Sequence, residues 1–464
     1  MDAETRTTSP ELINARLDRL PMTRNIWIMV SLISVGAWFQ LYNMFYTGYI
    51  APGLFQSKIF TPTTVSFFGL TGLASFIASL FVGLFIGTIA FSNLADRYGR
   101  RAIFTCALIW FSGAAFMLAF QHTVAGLDFW HMIAGIGIGV ELSTVDTYIA
   151  EVTPKRARGQ ALALEEGIAC LCMPTIALLA WVLGPRAPFG LDGWRWVVLV
   201  GALGVIPILW LRAKVPESAR WLAQQGRLEE ADLVVTAMEA KALAESGRPL
   251  PPLGPLAIED AREGRYSEIF HKPYRRRTIM LSVANFFSTI GYFGFVSWIP
   301  TLLISKGIEV TKSLEYTFII ALSFPLGLFL VILVADRIER KWQIIGTSVA
   351  MAVVGVVFSM LTAPFWLIVC GCLQTWASAW MAVSLHAYQA ELFPTRVRAL
   401  AVGFVFSWSR FSAIFTGFFV AYFLRAFGTP GVFLFIAGAM GVLIVSLGLF
   451  GPRTTRLALE EISH

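Results

Sequence analysis

Long apolar runs separated by short charged segments make up most of this 464-residue chain. A transmembrane α-helix needs about 20 consecutive, mostly apolar residues. The chain holds twelve runs of this kind, at residues 25–51, 64–92, 102–120, 127–150, 160–184, 195–212, 278–304, 314–335, 342–362, 365–390, 399–424 and 430–450. The pattern therefore predicts an all-α membrane protein with twelve transmembrane helices in two six-helix bundles.

Polar segments divide the chain into five predicted parts. They are an N-terminal segment at 1–24, a six-helix bundle at 25–212, a linker at 213–277, a second six-helix bundle at 278–450 and a tail at 451–464.

Two shorter helices are predicted outside the spans. Ser9 and Pro10 mark the start of the first, because Ser is a good N-cap and Pro fits the first helical turn. Its apolar side would lie on the membrane surface. The second is an amphipathic helix at 228–245 in the linker. The N-terminal segment is too charged for a secretory signal and has no small-residue cleavage site, so we expect no cleaved signal peptide.

Two charged motifs occur twice, at the same offset of 240 residues. Leu94–Arg101 returns as Val334–Lys341, and Tyr148–Arg158 returns as Tyr388–Arg398. Chance would not keep one register for two motifs. The chain is therefore predicted to contain two copies of one unit, an architecture of transporters whose substrate site lies between the repeats.

Composition and charge agree with a multi-pass membrane protein. Hydrophobic residues make up 56% of the chain and charged ones 14%, against about 25% charged in soluble proteins. With both termini in the cytoplasm, nearly all of the 36 Lys and Arg residues fall on the cytoplasmic side, as expected for an inner-membrane protein. The exceptions are Lys58, Arg186, Arg195, Lys306, Lys312, Arg410 and Arg425. The net charge of +7 is therefore explained by topology and does not indicate nucleic-acid binding.

Five segments resemble motifs of the major facilitator superfamily. Ser92–Arg101 is similar to its motif between spans two and three, with Ser in place of the usual leading Gly. Pro216–Leu222 (PESARWL) and Glu391–Arg398 resemble motifs shared by sugar porters and organic cation and anion transporters. Arg16–Pro21 and Gly137–Leu142 resemble bacterial metabolite:proton symporters, including niacin transporters, and relatives of the synaptic vesicle protein two family. The chain thus resembles the sugar-porter-like branch.

The resemblance implies a secondary transporter in which the two bundles rock around a central site. It implies no enzymatic activity and no cofactor. The His and acidic residues within the spans are too scattered to suggest a hydrolytic or metal site. One twelve-span chain already contains a complete pathway, so we expect a monomer.

Charged residues of the repeated loops are predicted to form a cytoplasmic gate, because acids alternate with the basic residues and a purely topological signal needs no acids. The predicted gate residues are Asp96, Arg97, Arg101, Glu151, Arg158, Glu217, Arg220, Asp336, Arg337, Glu391 and Arg398.

Arg410 is the strongest candidate for substrate binding. It lies too deep in span eleven to reach the membrane surface easily, and a charge inside a membrane is costly unless it is paired. Its partner is either a fixed carboxylate such as Glu166 or the carboxylate of a substrate. Organic anion transporters carry an Arg at the corresponding place, so the resemblance favours an anionic substrate.

Other polar and aromatic residues of the spans complete the predicted site. Gln40 and Asn43 are three apart and share a helix face, and aromatic rings would stack on a flat substrate. Besides Arg410, the predicted substrate-binding residues are Gln40, Asn43, Tyr46, Glu166, Asn285, Tyr292, Trp298, Gln374, Trp376, His386 and Trp408.

Proton coupling, if present, needs residues outside span one. Many related symporters have acids there, whereas this chain has the amides Gln40 and Asn43. The candidates are Glu141, Glu166 and His131, whose imidazole titrates near neutral pH. His131 could equally be a packing residue. Transport without proton coupling, by a uniporter, is a further alternative.

These observations predict import of a small organic anion together with protons. The best candidate is an aromatic or heteroaromatic monocarboxylate such as nicotinate. Two alternatives remain: a porter for sugars or other metabolites, and a non-transporting receptor on a transporter fold. The sugar porters' Gly-Pro-x-x-Trp motif is absent, and His386 stands where its Trp would be.

Overall fold

A computed structural model of the protein describes residues 9–61, 64, 72–91, 94–206, 210, 214–253, 266–272, 274–334, 338–393 and 395–452. These residues form helices and connecting turns, with no strand among them. The α-helices that we number are α1 (Pro10–Asp18), α2 (Arg24–Gln56), α3 (Gly72–Ala90), α4 (Leu94–Tyr98), α5 (Arg100–Ala119), α6 (Val124–Val152), α7 (Arg158–Cys170), α8 (Cys172–Leu183), α9 (Gly193–Ala202), α10 (Ala219–Gln224), α11 (Leu228–Ser246), α12 (Arg275–Val296), α13 (Ile299–Ser305), α14 (Val310–Leu322), α15 (Phe324–Val334), α16 (Arg340–Met360), α17 (Pro364–Glu391) and α18 (Thr395–Phe450).

Each of the twelve apolar runs falls on one or two of these helices, which confirms the all-α membrane fold. Within the described ranges, nine helical segments are long and apolar enough to cross a membrane on their own. Spans eleven and twelve are joined without a loop in α18. The chain bends there at Gly428, whose φ of 66° is a backbone conformation that glycine adopts without strain.

Three spans are broken where the sequence predicts continuous helices. The breaks fall between α7 and α8, between α12 and α13, and between α14 and α15. In each case a proline is among the first three residues of the second helix: Pro174, Pro300 and Pro325. Proline has no amide hydrogen to donate, and its ring clashes with the carbonyl four residues earlier. The breaks therefore have a local cause.

Equivalent contacts in the two halves confirm the internal repeat. Arg100 forms an ion pair with Glu151 at 3.0 Å, and Arg340, 240 residues later, forms one with Glu391 at 3.6 Å. The Tyr148 hydroxyl donates to the carbonyl of Pro216, and that of Tyr388 donates to the carbonyl of Pro452. We call the end of the molecule that carries these contacts the motif face, and the other end the opposite face.

A cap of two helices covers the motif face of the N-terminal half. Arg16 on α1 binds Asp232 and Glu239 on α11, the latter at 2.7 Å, and Arg19 also binds Glu239 at 2.6 Å. Burial raises the pKa of Glu239, but the hydrogen bonds from the two arginines outweigh it, so the pKa lies below its ordinary value. Helix α11 confirms the helix predicted at 228–245 in the linker. The expected position of α1 on the membrane is wrong, because Ile13 and Leu17 are buried against protein.

Helices α3 and α6 approach so closely that glycine is needed at their contact. A Cβ at Gly135 would lie 2.2 Å from the carbonyl oxygen of Leu80, and one at Gly83 would lie 2.0 Å from that of Met132. Backbone atoms cannot move aside as a flexible side chain can. The glycines therefore set the distance between the two helices.

We expect Gly135→Val to destabilise the N-terminal half by about 1–3 kcal/mol, the usual effect of overpacking. The thermal midpoint of the purified protein, measured in detergent, should fall by several degrees. Gly113→Val is the matched control, since a Cβ at Gly113 would meet no atom within 4 Å. An unchanged midpoint for Gly135→Val would contradict the close packing.

Candidate functional site

A central cavity lies between the two halves and is the candidate substrate site. It consists of two chambers of about 220 and 370 Å³. The linings of the two chambers have six residues in common, three from each half: Leu41, Leu142, Glu166, His386, Phe406 and Arg410. Because they share these residues, the chambers lie next to each other. We call them together the central cavity.

The residues of each helix that line this cavity lie on one face of that helix. On α2 the lining positions are 37, 40, 41, 44 and 45, which form one stripe at helical spacing. The deeper chamber is lined by the middle of α12, including Asn285 and Tyr292. The chamber nearer the motif face is lined by Asp146, Glu165 and Ser407, among others.

Aromatic side chains close the cavity toward the opposite face. The rings of Phe45 and Phe293, from different halves, are stacked with centroids 5.8 Å apart, and Phe81 packs edge-on against Phe293 at 4.8 Å. Further out, Trp181 and Phe318 stack across the halves at 5.7 Å. We call this group the aromatic plug.

The backbones of the two halves also meet on this side. A Cβ at Gly48 on α2 would lie 2.0 Å from the carbonyl oxygen of Ser297, just after α12. On the motif side of the cavity, by contrast, Asp146, Glu166 and His386 have exposed side chains although they lie within the protein. The structure is therefore closed at the opposite face and has its cavity directed toward the motif face.

Arg410 is the buried cation of the cavity. Its side chain is 8% exposed, and the guanidinium lies over the Phe406 ring, 4.4 Å from the centroid. Its Nε is buried and has no hydrogen-bond partner within the described ranges. Among the described residues no carboxylate lies within 4.0 Å, so the alternative pairing with Glu166 is not formed in this state.

Most of the neutral polar groups of the cavity already have partners. The Asn285 amide donates to the Leu281 carbonyl and to Gln389, at 2.9 and 3.1 Å. Ser288 and Thr289 both donate to the carbonyl of Asn285. These groups offer few free donors to a ligand.

The structure brings half of the predicted binding residues to the central cavity. These are Gln40, Glu166, Asn285, Tyr292, His386 and Arg410. The other half do not line it: Asn43, Tyr46, Trp298, Gln374, Trp376 and Trp408.

Local contacts explain why several of these side chains lie outside the cavity. Asn43 points to α9, where its amide donates to the Gly201 carbonyl at 3.1 Å. The Trp376 indole donates to the Ser323 carbonyl and fastens α17 to the end of α14. Trp408 is 38% exposed and packs against Phe411, away from the cavity. Trp298 is buried at the start of α13.

His131 is enclosed on the opposite-face side of the N-terminal half. Its ring stacks on Phe76 at 4.1 Å, Nδ1 lies 2.8 Å from the Phe76 carbonyl, and Nε2 lies 3.1 Å from the Thr47 hydroxyl. Tyr46 packs against the same ring. The surroundings of His131 fit the packing alternative.

The predicted gate residues lie at the motif face. Asp96 and Glu151 both bind Arg100, and Glu217 accepts from the amide of Arg101. Arg220 binds Asp18 and Arg398 donates to the Phe393 carbonyl, whereas Arg97 lies over the Tyr98 ring. Asp336 and Arg337 lie outside the described residues.

Ion pairs between two described residues at this face stay within one half, so a gate role across the halves stays a prediction. Arg158 lies at the start of α7, and Glu391 at the end of α17. Arg100 and Arg340, which the gate prediction omitted, form the repeated ion pairs. The available signal was that Arg100 and Arg340 occupy the same position in the two copies of the repeated motif.

The cavity also contains residues that the binding prediction omitted. Phe406 and Leu142 carry no polar signal, although both lie one turn or less from a predicted residue on the same helix. Asp146 and Glu165 are acids that line the chamber nearer the motif face.

Residues 29–464 match the family described as "Sugar (and other) transporter". The chain belongs to this family. It is accordingly a multi-pass membrane transporter of the major facilitator superfamily, in the sugar-porter-like branch, and not an enzyme.

Relatives and solved structures agree with this placement. YyaJ of Bacillus subtilis is 29% identical over 95% of each chain, and the niacin transporter NiaP of Acinetobacter baylyi is 25% identical over 97% of this chain and 99% of NiaP. The xylose transporter XylE of Escherichia coli, in a partially occluded inward-open conformation, superposes with a TM-score of 0.73 at 20% identity, covering 94% of this chain and all of XylE. The structural likeness shows the shared fold.

Proposed function

We propose that this transporter imports a small organic monocarboxylate, with nicotinate as the best candidate, together with protons. The observation that carries the proposal is the buried guanidinium of Arg410, which faces the central cavity with no carboxylate partner among the described residues. The substrate would supply that partner. Similarity to a protein named as a niacin transporter supports the same choice.

The shape and chemistry around Arg410 suit a flat carboxylate. A guanidinium can donate two parallel hydrogen bonds to a carboxylate, which fixes both position and orientation. The rings of Phe406 and Tyr292 line the same chamber and can pack against an aromatic ring. The aromatic surface comes from Phe and Tyr, and not from the tryptophans that the sequence suggested.

Acidic residues in the same cavity favour carriage of protons with the anion. Asp146, Glu165 and Glu166 line the chamber nearer the motif face. Ionised carboxylates would repel an anion, whereas protonated ones would not. Binding of the anion and binding of protons therefore favour each other.

A neutral sugar is the second candidate, supported by the family and by the likeness to xylose transporters. Sugars need many hydrogen-bond donors and acceptors. The donors of Asn285, Ser288 and Thr289 are already used within the protein, so a monocarboxylate held by Arg410 fits the cavity better.

The topology that goes with this proposal places the motif face and both termini in the cytoplasm of the cell, with the chain acting as a monomer in the inner membrane. The cavity would then be directed toward the cytoplasm, in the state that releases an imported substrate. The loop charges of the motif face would close the same cavity in the alternate state.

Uptake of radiolabelled nicotinate into proteoliposomes tests the proposal. We expect accumulation with an inward proton gradient, with competition by unlabelled nicotinate and benzoate but not by nicotinamide, which has the same ring without the charge. Xylose should not compete. Competition by sugars alone would support the second candidate, and binding without flux would indicate a receptor.

A further inference from the structure

Glu141 stands out as a fully buried acid without a partner. Its side chain is 0% exposed, and neither carboxyl oxygen has a hydrogen-bond partner in the described part of the chain. It lies on the inner stripe of α6 with Ile138 and Val145, which are also buried. Val145 lines the central cavity, so Glu141 lies one helical turn farther from the motif face, just behind the cavity wall.

An ionised carboxylate cannot be stable in these surroundings. Moving such a charge from water into an apolar interior is far more costly than neutralising it, unless a cation or several hydrogen bonds compensate. Among the residues that the structure describes, Glu141 has neither, so in this conformation it holds a proton. A buried acid that must be neutral here, and would ionise where water or a cation reaches it, is suited to carry a proton between two states.

Glu165 is the group through which Glu141 can exchange its proton. It lies on α7, which packs against α6, it is 8% exposed, and it lines the cavity. Asp146 and Glu166 line the same chamber, and their side chains are exposed to it. The four acids thus run from the cavity surface to the buried site.

The remaining ionisable groups near α6 offer no competing partner for Glu141. Helix α3 has none within its bounds. Those of α2, α5, α7, α10 and α6 itself, apart from the four acids, are Arg24, Tyr42, Tyr46, Tyr49, Arg100, Arg101, Cys106, Asp128, His131, Tyr148, Glu151, Arg158, Cys170 and Arg220. Among the described residues none of these donates a hydrogen bond to the Glu141 carboxyl group, and the strongest electrostatic effect on Glu141 comes from Glu165.

We propose that Glu141 is the binding site of the transported proton, and that Glu165 passes this proton to and from the cavity. In the transfer, the O–H bond of the Glu141 carboxylic acid breaks and one forms on the Glu165 carboxylate, with no other change. This inference rests on the proposed proton-coupled function. It gives the proton site a place in span four, since span one has the amide Gln40 facing the cavity.

His131 does not serve this purpose as well. Both of its ring nitrogens already lie within hydrogen-bond distance of Phe76 and Thr47, and it does not line the cavity. A proton would have no described route from there to the substrate.

Glu141→Gln tests the assignment, because glutamine has the size of the protonated acid and cannot release a proton. We expect exchange of labelled for unlabelled nicotinate across the proteoliposome membrane to stay within about twofold of wild type. Accumulation driven by a proton gradient should fall to the level seen without a gradient. Glu229→Gln, which removes an exposed acid of the linker helix, is the matched control and should keep accumulation.

Infrared spectroscopy of the purified protein gives a readout that needs no substrate. The carboxylic acid C=O stretching band present at neutral pH should lose one component in Glu141→Gln and not in Glu229→Gln. If wild type does not exchange nicotinate, the proposed function fails and the infrared band alone decides the assignment. A persisting band, gradient-driven accumulation by Glu141→Gln, or wild-type exchange that no proton gradient drives would overturn the inference.

Discussion

Arg410→Met should lower the affinity for nicotinate about 100-fold and abolish measurable uptake at micromolar concentrations. Loss of one member of a buried, hydrogen-bonded charge pair costs about 2–5 kcal/mol, and each 1.4 kcal/mol is a factor of about ten in affinity. The substrate carboxylate would enter the cavity with no cation to meet it. Equilibrium binding and initial uptake rates of labelled nicotinate measure both effects.

Two further variants separate the charge from its geometry. Arg410→Lys keeps the positive charge but loses the planar, two-pronged donor, so we expect an intermediate loss of about tenfold. Arg425→Met is the matched control, because Arg425 is exposed on the same helix and lies outside the cavity. Wild-type nicotinate affinity in a folded Arg410→Met variant would rule out the proposed anion site.

Gly48→Leu should slow transport strongly while having little effect on binding. The added side chain would collide with the Ser297 carbonyl in the other half, so the opposite face could no longer close as the structure shows it. A steric cost of about 3 kcal/mol would shift the balance between the two states more than 100-fold. Uptake should fall by at least about tenfold, while the binding constant of nicotinate changes only a few-fold.

Gly346→Leu controls for the effect of a larger residue in a transmembrane helix, since a Cβ at Gly346 would meet no atom within 4 Å. It should transport like wild type. Normal uptake by Gly48→Leu would show that closure between Gly48 and Ser297 is not needed in the cycle.

The sequence predicts the spans well because their length is set by the membrane and not by the rest of the fold. Helix breaks within the spans were also predictable in principle, from Pro174, Pro300 and Pro325. The repeat offset even indicates which residues form equivalent ion pairs, since Arg100 and Arg340 occupy the same place in the two motifs.

The site was harder to predict because the direction of a side chain depends on neighbours far along the chain. Asn43 has the composition and depth of a binding residue, but its amide nitrogen donates to the carbonyl of Gly201, 158 positions later. Trp376 is likewise held by Ser323. Arg410 and Gln40 could be predicted as functional residues because a polar group within a span is costly in any orientation. That both side chains face the cavity depends on helix packing, which the sequence alone does not reveal.

The cap on the N-terminal half has a consequence for the order in which the chain is built. Arg16 and its partner Glu239 are 223 positions apart, and six spans lie between them. During synthesis α1 emerges first but stays without this partner until the ribosome has passed α11. The first half can then be fastened by Arg16, Arg19 and Arg220 before α12 has been made, so the second half is added to a neighbour that is already assembled.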